Sequence, residues 1–277
     1  MRAVFTFAAC ISILCVVTIC LFLFANGLPA IFKIGVGDFL LGVKWAPSNG
    51  VFGILPMVLG SIYVTAFALL VGVPVGIFSA VFLVYYCPKR VYQVLKPLIN
   101  LLAGIPSIIY GFFGLVVLVP IVREVFGGNG KEMLTAGILL GFMILPTVVA
   151  MTESALRAVP RYYYEGALAI GATKERSIFN TVIPAAKSGV LAGVILGLGR
   201  AIGETMAVIM VAGNQAIIPE SILQGFRTMT ANIVLEMGYA ADLHREALIA
   251  TAVVLFIFIL LINSLFSILK RRDLANA

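Results

Sequence analysis

Residues 197–214 read GLGRAIGETMAVIMVAGN, and between positions 188 and 219 Arg200 and Glu204 are the only charged residues. A guanidinium stays ionised and presents five donors in a planar fork, which suits an oxyanion, while a nearby carboxylate limits how tightly that anion is held. Charges at bilayer depth are costly and normally face a bundle interior or an aqueous cavity. At 100° per residue, Gly189, Gly193 and Gly197 form one stripe and both charges fall inside it, a face expected to pack on protein or border a pathway. Gly199, Gly203 and Ala207 continue a second row of small residues. The competing reading is an internal ion pair that only specifies packing. Arg before Glu at i, i+4 is the weaker order, and such pairs often add no net stability.

A second candidate is AGIPSIIYGFFG, residues 103–114. Gly104 and Pro106 loosen the backbone, a feature tolerated at membrane depth where it lines a cavity or is buried in protein, while Ser107 and Tyr110 offer hydroxyls. A packing kink with both hydroxyls bonded to their own helix is the alternative. Arg200, Glu204, Thr205, Ser107 and Tyr110 together form the candidate substrate path. Elsewhere the chemistry is thin. GGNGKE at 127–132 lacks the glycine spacing and the Ser/Thr of a nucleotide loop. Cys10, Cys15 and Cys20 turn about 140° per step around a helix and make no metal cluster. His244 reads as a solvated outer histidine. No catalytic, cofactor or metal constellation is expected.

These residues lie in a chain of 277 positions that is 62% hydrophobic and 11% charged, with a mean hydropathy of +1.13, which indicates an all-α integral membrane protein. Six apolar regions, 3–32, 46–88, 97–122, 133–152, 188–219 and 247–269, can each span a hydrocarbon core needing about 20 residues. Within the second, Pro56 suggests an interfacial approach before a helix at about 60–86, with a kink at Pro74. The first region is longer than a cleavable leader's apolar run and is expected to be a retained span. With a cytoplasmic N-terminus, twelve Lys/Arg lie inside and six outside, so both termini are expected in the cytoplasm. The formal charge of +7 is thus a topology signal, and no nucleic-acid partner is inferred.

Two connections carry patterning. In 153–187, Pro160 starts a short helix through Glu165 and Ile170, capped by Gly171. Thr173 N-caps a second helix, with Glu175 in its first turn and Pro184 at its end. Ile178, Phe179 and Val182 stripe that second helix beside Lys174 and Arg176, so a helical hairpin presents a mixed knob to the cytoplasm, unless it merely rests on lipid headgroups. The outer connection, 214–246, has intermittent apolar residues that suit short interfacial helices.

EGALAIGATKERSIFNTVIPAA, at 165–186, resembles the cytoplasmic signature of binding-protein-dependent ABC importer permeases. Glu165, Ala167, Gly171, Ile183 and Pro184 match it, while Gly166 stands where the pattern has alanine and Thr181 where it usually has an aliphatic residue. FGILPMVLGSIYVT (52–65), GIPSIIYGFFG (104–114) and LGLGRAIGETMAV (196–208) are similar to phosphate-importer permeases. Of the two permeases in such importers, one usually reads Gly-Glu-Thr-Ala-Pro here, so the present run resembles the other. The resemblance implies a MetI-like type I permease core in 51–277, preceded by an N-terminal span and outer loop in 1–50, in a bacterial inner membrane. Coupling helices at about 161–183 would dock ATPase subunits through Glu165, Gly166, Ala167, Gly171, Ile183 and Pro184. It further implies a second permease, two ATP-binding subunits and an external phosphate-binding protein as partners, with inorganic phosphate as cargo and hydrolysis confined to the ATPases. The partner-type permease, another oxyanion permease or an ion-coupled carrier are the alternatives. A carrier would be expected to show more intramembrane charge pairs and repeats.

Overall fold

The computed structural model describes residues 1–275, except the side chains of Ala3, Phe266, Ser267 and 269–275. Lys270, Arg271 and Arg272, three of the charges behind the expected orientation, therefore have side chains outside the described residues. α1 (Arg2–Ile34) and α2 (Val36–Leu41) lead into a two-stranded hairpin of β1 (Trp45–Ala46) and β2 (Val51–Phe52). α3 (Leu55–Val81) ends in a π-helical turn, Phe82–Tyr86. Pro56 sits in the first turn of α3, where proline's missing N–H costs nothing. The helix thus starts five residues earlier than expected, with no separate approach segment, and Pro74 lies inside it.

The third apolar region is also divided differently. α4 (Lys89–Gly104) is strongly amphipathic and has no fully buried residue. It takes Pro97 through Ala103 away from the membrane helix. Pro106 forces extended backbone at Ile105, and α5 (Ser107–Phe113) begins the span, continued by a π-helical turn, Gly114–Leu118, and α6 (Val119–Phe126). α7 (Met133–Ala158) follows, then α8 (Arg161–Ala169), α9 (Lys174–Ser177), a π-helical turn Ile178–Val182, and α10 (Ile183–Ala185). Pro184 does not end this second hairpin helix as expected. The chain stays helical to Ala185 and bends by 72° into α11 (Lys187–Gly203). α12 (Met206–Val211), α13 (Met229–Met237) and α14 (Asp242–Ala275) complete the order. Among the described residues five helices are long and apolar enough to span, or six if the bent pair counts as one.

Most of the apolar window of α7 is buried, 72% against a third or less for the other spans; it is the centre of the bundle. Glycines let its neighbours close on it. On α3, a Cβ at Gly72 would meet the Gly141 carbonyl at 2.7 Å, and one at Gly76 would meet Val148 at 2.7 Å. On α11, Gly189, Gly193 and Gly197 stand against Ala155, Met151 and Val148. The predicted glycine stripe is therefore a packing face for α7, as small residues at i, i+4, i+8 permit. α1 joins from outside at Gly27, which abuts Val253 and Ala250 of α14. Ala30 and Ile31 are buried nearby and Phe24 meets the Phe256 ring, but no residue of the most apolar window of α1 is buried. Cys10 and Cys15 are exposed on it, and no metal-ligating cluster occurs among the described residues.

Candidate functional site

The site is built on a break in the fifth span. α11 stops at Gly203, Glu204 is extended (φ −69°, ψ 132°), and α12 resumes at Met206. Glycine is a weak helix former, and the Glu204 side chain offers the backbone a rival partner: Oε1 accepts from the Ala207 N–H at 3.1 Å. The orphaned Glu204 carbonyl accepts the Thr230 hydroxyl at 3.0 Å. This arrangement corrects the expected i, i+4 pair. The two residues do not sit on one continuous helix, and Glu204 is committed to capping α12. Among the described residues Arg200 makes neither an ion pair nor a hydrogen bond. It is half-buried in the last turn of α11. The second small-residue row divides here: nothing lies within 4 Å of a Cβ at Gly199 or Gly203, whereas Ala207 is buried. Thr205 donates to the Gly203 carbonyl at 3.2 Å.

α5 crosses beside this break. A Cβ at Gly111 would meet Ala207 Cα at 2.9 Å, which puts the first turns of α5 against α12. Tyr110 lies within electrostatic range of Arg200, but its hydroxyl donates to the Leu102 carbonyl at 2.8 Å, in the last turn of α4. That bond crosses the helix break instead of staying within one helix. Ser107, in the first turn of α5, is half-buried, and its hydroxyl bonds to nothing among the described residues. Arg200, Thr205 and Tyr110 are thus gathered around one interruption, while Glu204 and Tyr110 have structural duties there.

At the opposite end of α11 lies the expected hairpin. Gly171 takes φ +89°, its N–H bonds Leu168 and the Ala172 N–H bonds Ala167, a Schellman close that glycine permits. Thr173 accepts from the Arg176 N–H at 3.3 Å. Ile178 and Val182 are buried in a cluster with Leu83 and Leu156, but Phe179 is exposed and touches the Phe78 ring. Lys174 donates to the Tyr85 carbonyl at 2.7 Å and covers the Tyr86 ring at 4.0 Å, which ties α9 to the end of α3. Glu165 and Gly166 on α8 are exposed, Ala167 is half-buried, and Ile170 is 88% exposed. A cavity of about 420 Å³ opens under α8, lined by Tyr85, Arg157 and Glu165 among others.

Sequence reasoning missed three buried carboxylates, Glu132, Glu153 and Glu236, of which the last two gather several donors each. Glu153, on α7, is only 5% exposed and accepts from Tyr92 (2.7 Å), Lys96 (2.7 Å) and Arg157 (2.9 Å). At the far end from α8, Glu236 accepts from Arg227 (2.5 Å), Trp45 (2.8 Å) and His244 (2.8 Å). His244 is therefore not a solvated histidine. Its side chain is 15% exposed, paired and flanked by Trp45, Phe52 and Tyr239 rings. The available signals were local, Arg157 four residues after Glu153 and Arg227 and His244 within nine of Glu236, whereas Tyr92, Lys96 and Trp45 come from elements distant in sequence.

Residues 72–272 match the family described as binding-protein-dependent transport system inner membrane component, and the chain belongs to that family. Among its relatives, the probable ABC transporter permease protein YqgH of Bacillus subtilis is 38% identical over 96% of this chain and 90% of its own length. The phosphate transport system permease protein PstC of Mesorhizobium japonicum is 36% identical over 87% and 80%. The probable phosphate transport system permease protein PstC of Methanocaldococcus jannaschii is 33% identical over 87% and 84%. The same fold occurs in a bacterial alginate ABC transporter, with a TM-score of 0.68 at 15% identity over 98% of this chain and 95% of that one. It occurs again in the MetNI methionine ABC transporter, with a TM-score of 0.61 at 21% identity over 83% and 99%.

Proposed function

We propose that this chain is a permease subunit of an ATP-driven inorganic phosphate importer and supplies half of the translocation path. The observation that carries the reading is Arg200: a half-buried guanidinium, without a protein partner among the described residues, beside the open Gly199–Gly203 face. A guanidinium held this way is poised for bidentate contact with an oxyanion. The relatives named as phosphate permeases favour phosphate as that anion.

The path runs past Arg200, Thr205 and Ser107, and Glu204 keeps the backbone open by capping α12. The uncovered glycine face receives a second permease. α8, with Glu165, Gly166, Ala167 and Gly171, docks on one of two ATP-binding subunits, and closure there is passed through the bend after Ile183 and Pro184 to α11. In this reading α8 and both termini are cytoplasmic, and α13 faces an external phosphate-binding protein. The protein hydrolyses no ATP itself.

ATP-dependent phosphate uptake by the assembled complex in vesicles tests this, with sulfate and molybdate as competitors. Arg200→Ala is expected to abolish uptake while the complex still assembles. Normal uptake by that variant removes Arg200 from the path, and competition by sulfate or molybdate stronger than by phosphate itself replaces the cargo.

A further inference from the structure

α13 is a nine-residue helix with Met229, Thr230, Ala231, Asn232 and Glu236 buried. Its two ends do different things. At the N-terminal end Thr230 donates to the Glu204 carbonyl at 3.0 Å, and the Met229 N–H donates to Ser61 of α3 at 3.0 Å. This end therefore leans on the interruption in the fifth span.

At the other end, Glu236 gathers three donors from separate segments: Trp45 of β1, Arg227 before α13, and His244 of α14. Arg227 reaches further, to the Asn214 carbonyl and the Asn232 side chain, both at 2.9 Å. One carboxylate, 6% exposed, thus joins the hairpin, the loop after α12, α13 and α14. A rigid rod with one end on the break and the other in a buried ionic knot transmits any loosening of the knot to the break. Charge-assisted bonds of this kind are short and directional, so they define one position of the rod.

We propose that Glu236 is a positioning residue for transport: it latches α13 over the break at Glu204–Thr205 and sets how readily that break opens towards the side on which α13 lies. The inference deepens the transport reading given above. Its test needs no phosphate, so a failure of that reading leaves it intact.

The full complex is placed in vesicles with Cys10, Cys15, Cys20 and Cys87 replaced by serine, and Thr205→Cys is labelled with a membrane-impermeant maleimide applied from the α13 side. Met143→Cys, in the buried middle of α7, is the control. Glu236→Gln is expected to raise the labelling rate at position 205 by about five- to thirtyfold, a shift of the size expected for a two-state balance moved by one weakened buried pair, with Met143→Cys unchanged. An unchanged rate at 205, or an equal rise at 143, overturns the proposal. Should Glu236→Gln not assemble, Trp45→Phe removes a single donor and keeps a smaller aromatic ring there; a smaller rise confined to position 205 supports the latch, and no rise overturns it.

Discussion

Thr230 donates its hydroxyl hydrogen to the main-chain carbonyl of Glu204 at 3.0 Å, across 26 positions of sequence. The carbonyl belongs to the residue where α11 has ended and α12 has not begun, so helix geometry gives it no partner of its own. The bond is part-buried, so its loss costs at most the penalty of a fully buried unpaired acceptor, about 1–3 kcal/mol. Thr230→Val keeps the shape and deletes the donor. It is expected to lower the thermal midpoint of the purified complex, and Thr230→Ser to restore it. Equal midpoints for valine and threonine would show that the carbonyl finds another partner.

Glu153 fixes the amphipathic α4 to the central helix. Its carboxylate takes Tyr92 and Lys96 from α4 and Arg157 from its own helix, and Arg157 also covers the Tyr92 ring at 5.1 Å. Removing one partner from a buried pair is destabilising by about 3–5 kcal/mol. The half-exposed Arg157 and the 26% exposed Lys96 side chain place this one at the low end, because water screens what remains. Glu153→Ala is expected to release α4, read as faster trypsin cleavage after Lys89 and Arg90 in the detergent-solubilised complex. Cleavage at the wild-type rate would mean that apolar contacts alone hold α4.

Much of the fold was legible because lipid forbids unpaired backbone, so spans announce themselves as apolar runs. The glycine stripe at 189, 193 and 197 and the caps at Gly171 and Thr173 were likewise readable, being local. The divisions inside the runs were not. Pro56 and Pro97 both stand in or beside apolar sequence, and only tertiary context made the first a helix start and the second part of an amphipathic helix. The Arg200–Glu204 spacing suggested a pair, but a local choice by the Glu204 carboxylate for the Ala207 N–H won, stabilised by Thr230 from a distant helix. Glu153 and Glu236 were only half legible: Arg157, Arg227 and His244 lie within nine positions of them, but Lys96, Tyr92 and Trp45 lie 57, 61 and 191 positions away.

Glu165 stands exposed on α8 beside the exposed Gly166 and Ile170, a charged and apolar surface with no cover among the described residues. The Gly171 turn and the Lys174 contact with Tyr85 hold α8 in place without help from Glu165. Charge reversal by Glu165→Lys is therefore expected to leave the chain folded, with a thermal midpoint near that of the wild type. Recovery of the ATP-binding subunits in affinity purification should fall several-fold. Full recovery with coupled ATPase activity would place the docking surface elsewhere.

Glu132 supplies a pH dependence whose sign follows from burial. It occupies the N-cap position of α7, with no side-chain cap bond, after a loop where Gly127, Gly128 and Gly130 all take positive φ. The residue is 1% exposed, and Oε1 has no hydrogen-bond partner among the described residues. Burial pushes its carboxyl above the ordinary value of 4.5, because the charged form loses water and gains nothing in return. The folded state thus holds its proton more tightly than the unfolded chain. The stability linked to that proton is fully present below the ordinary value and is lost as pH rises through the folded one. At pH 7.5 the ionised group is a cost that Glu132→Gln removes. The variant's thermal midpoint is expected to exceed that of the wild type there, with the gap closing as pH falls through the folded value towards 4.5. A constant gap across that range, or a variant less stable throughout, would show that the carboxylate is paired when charged.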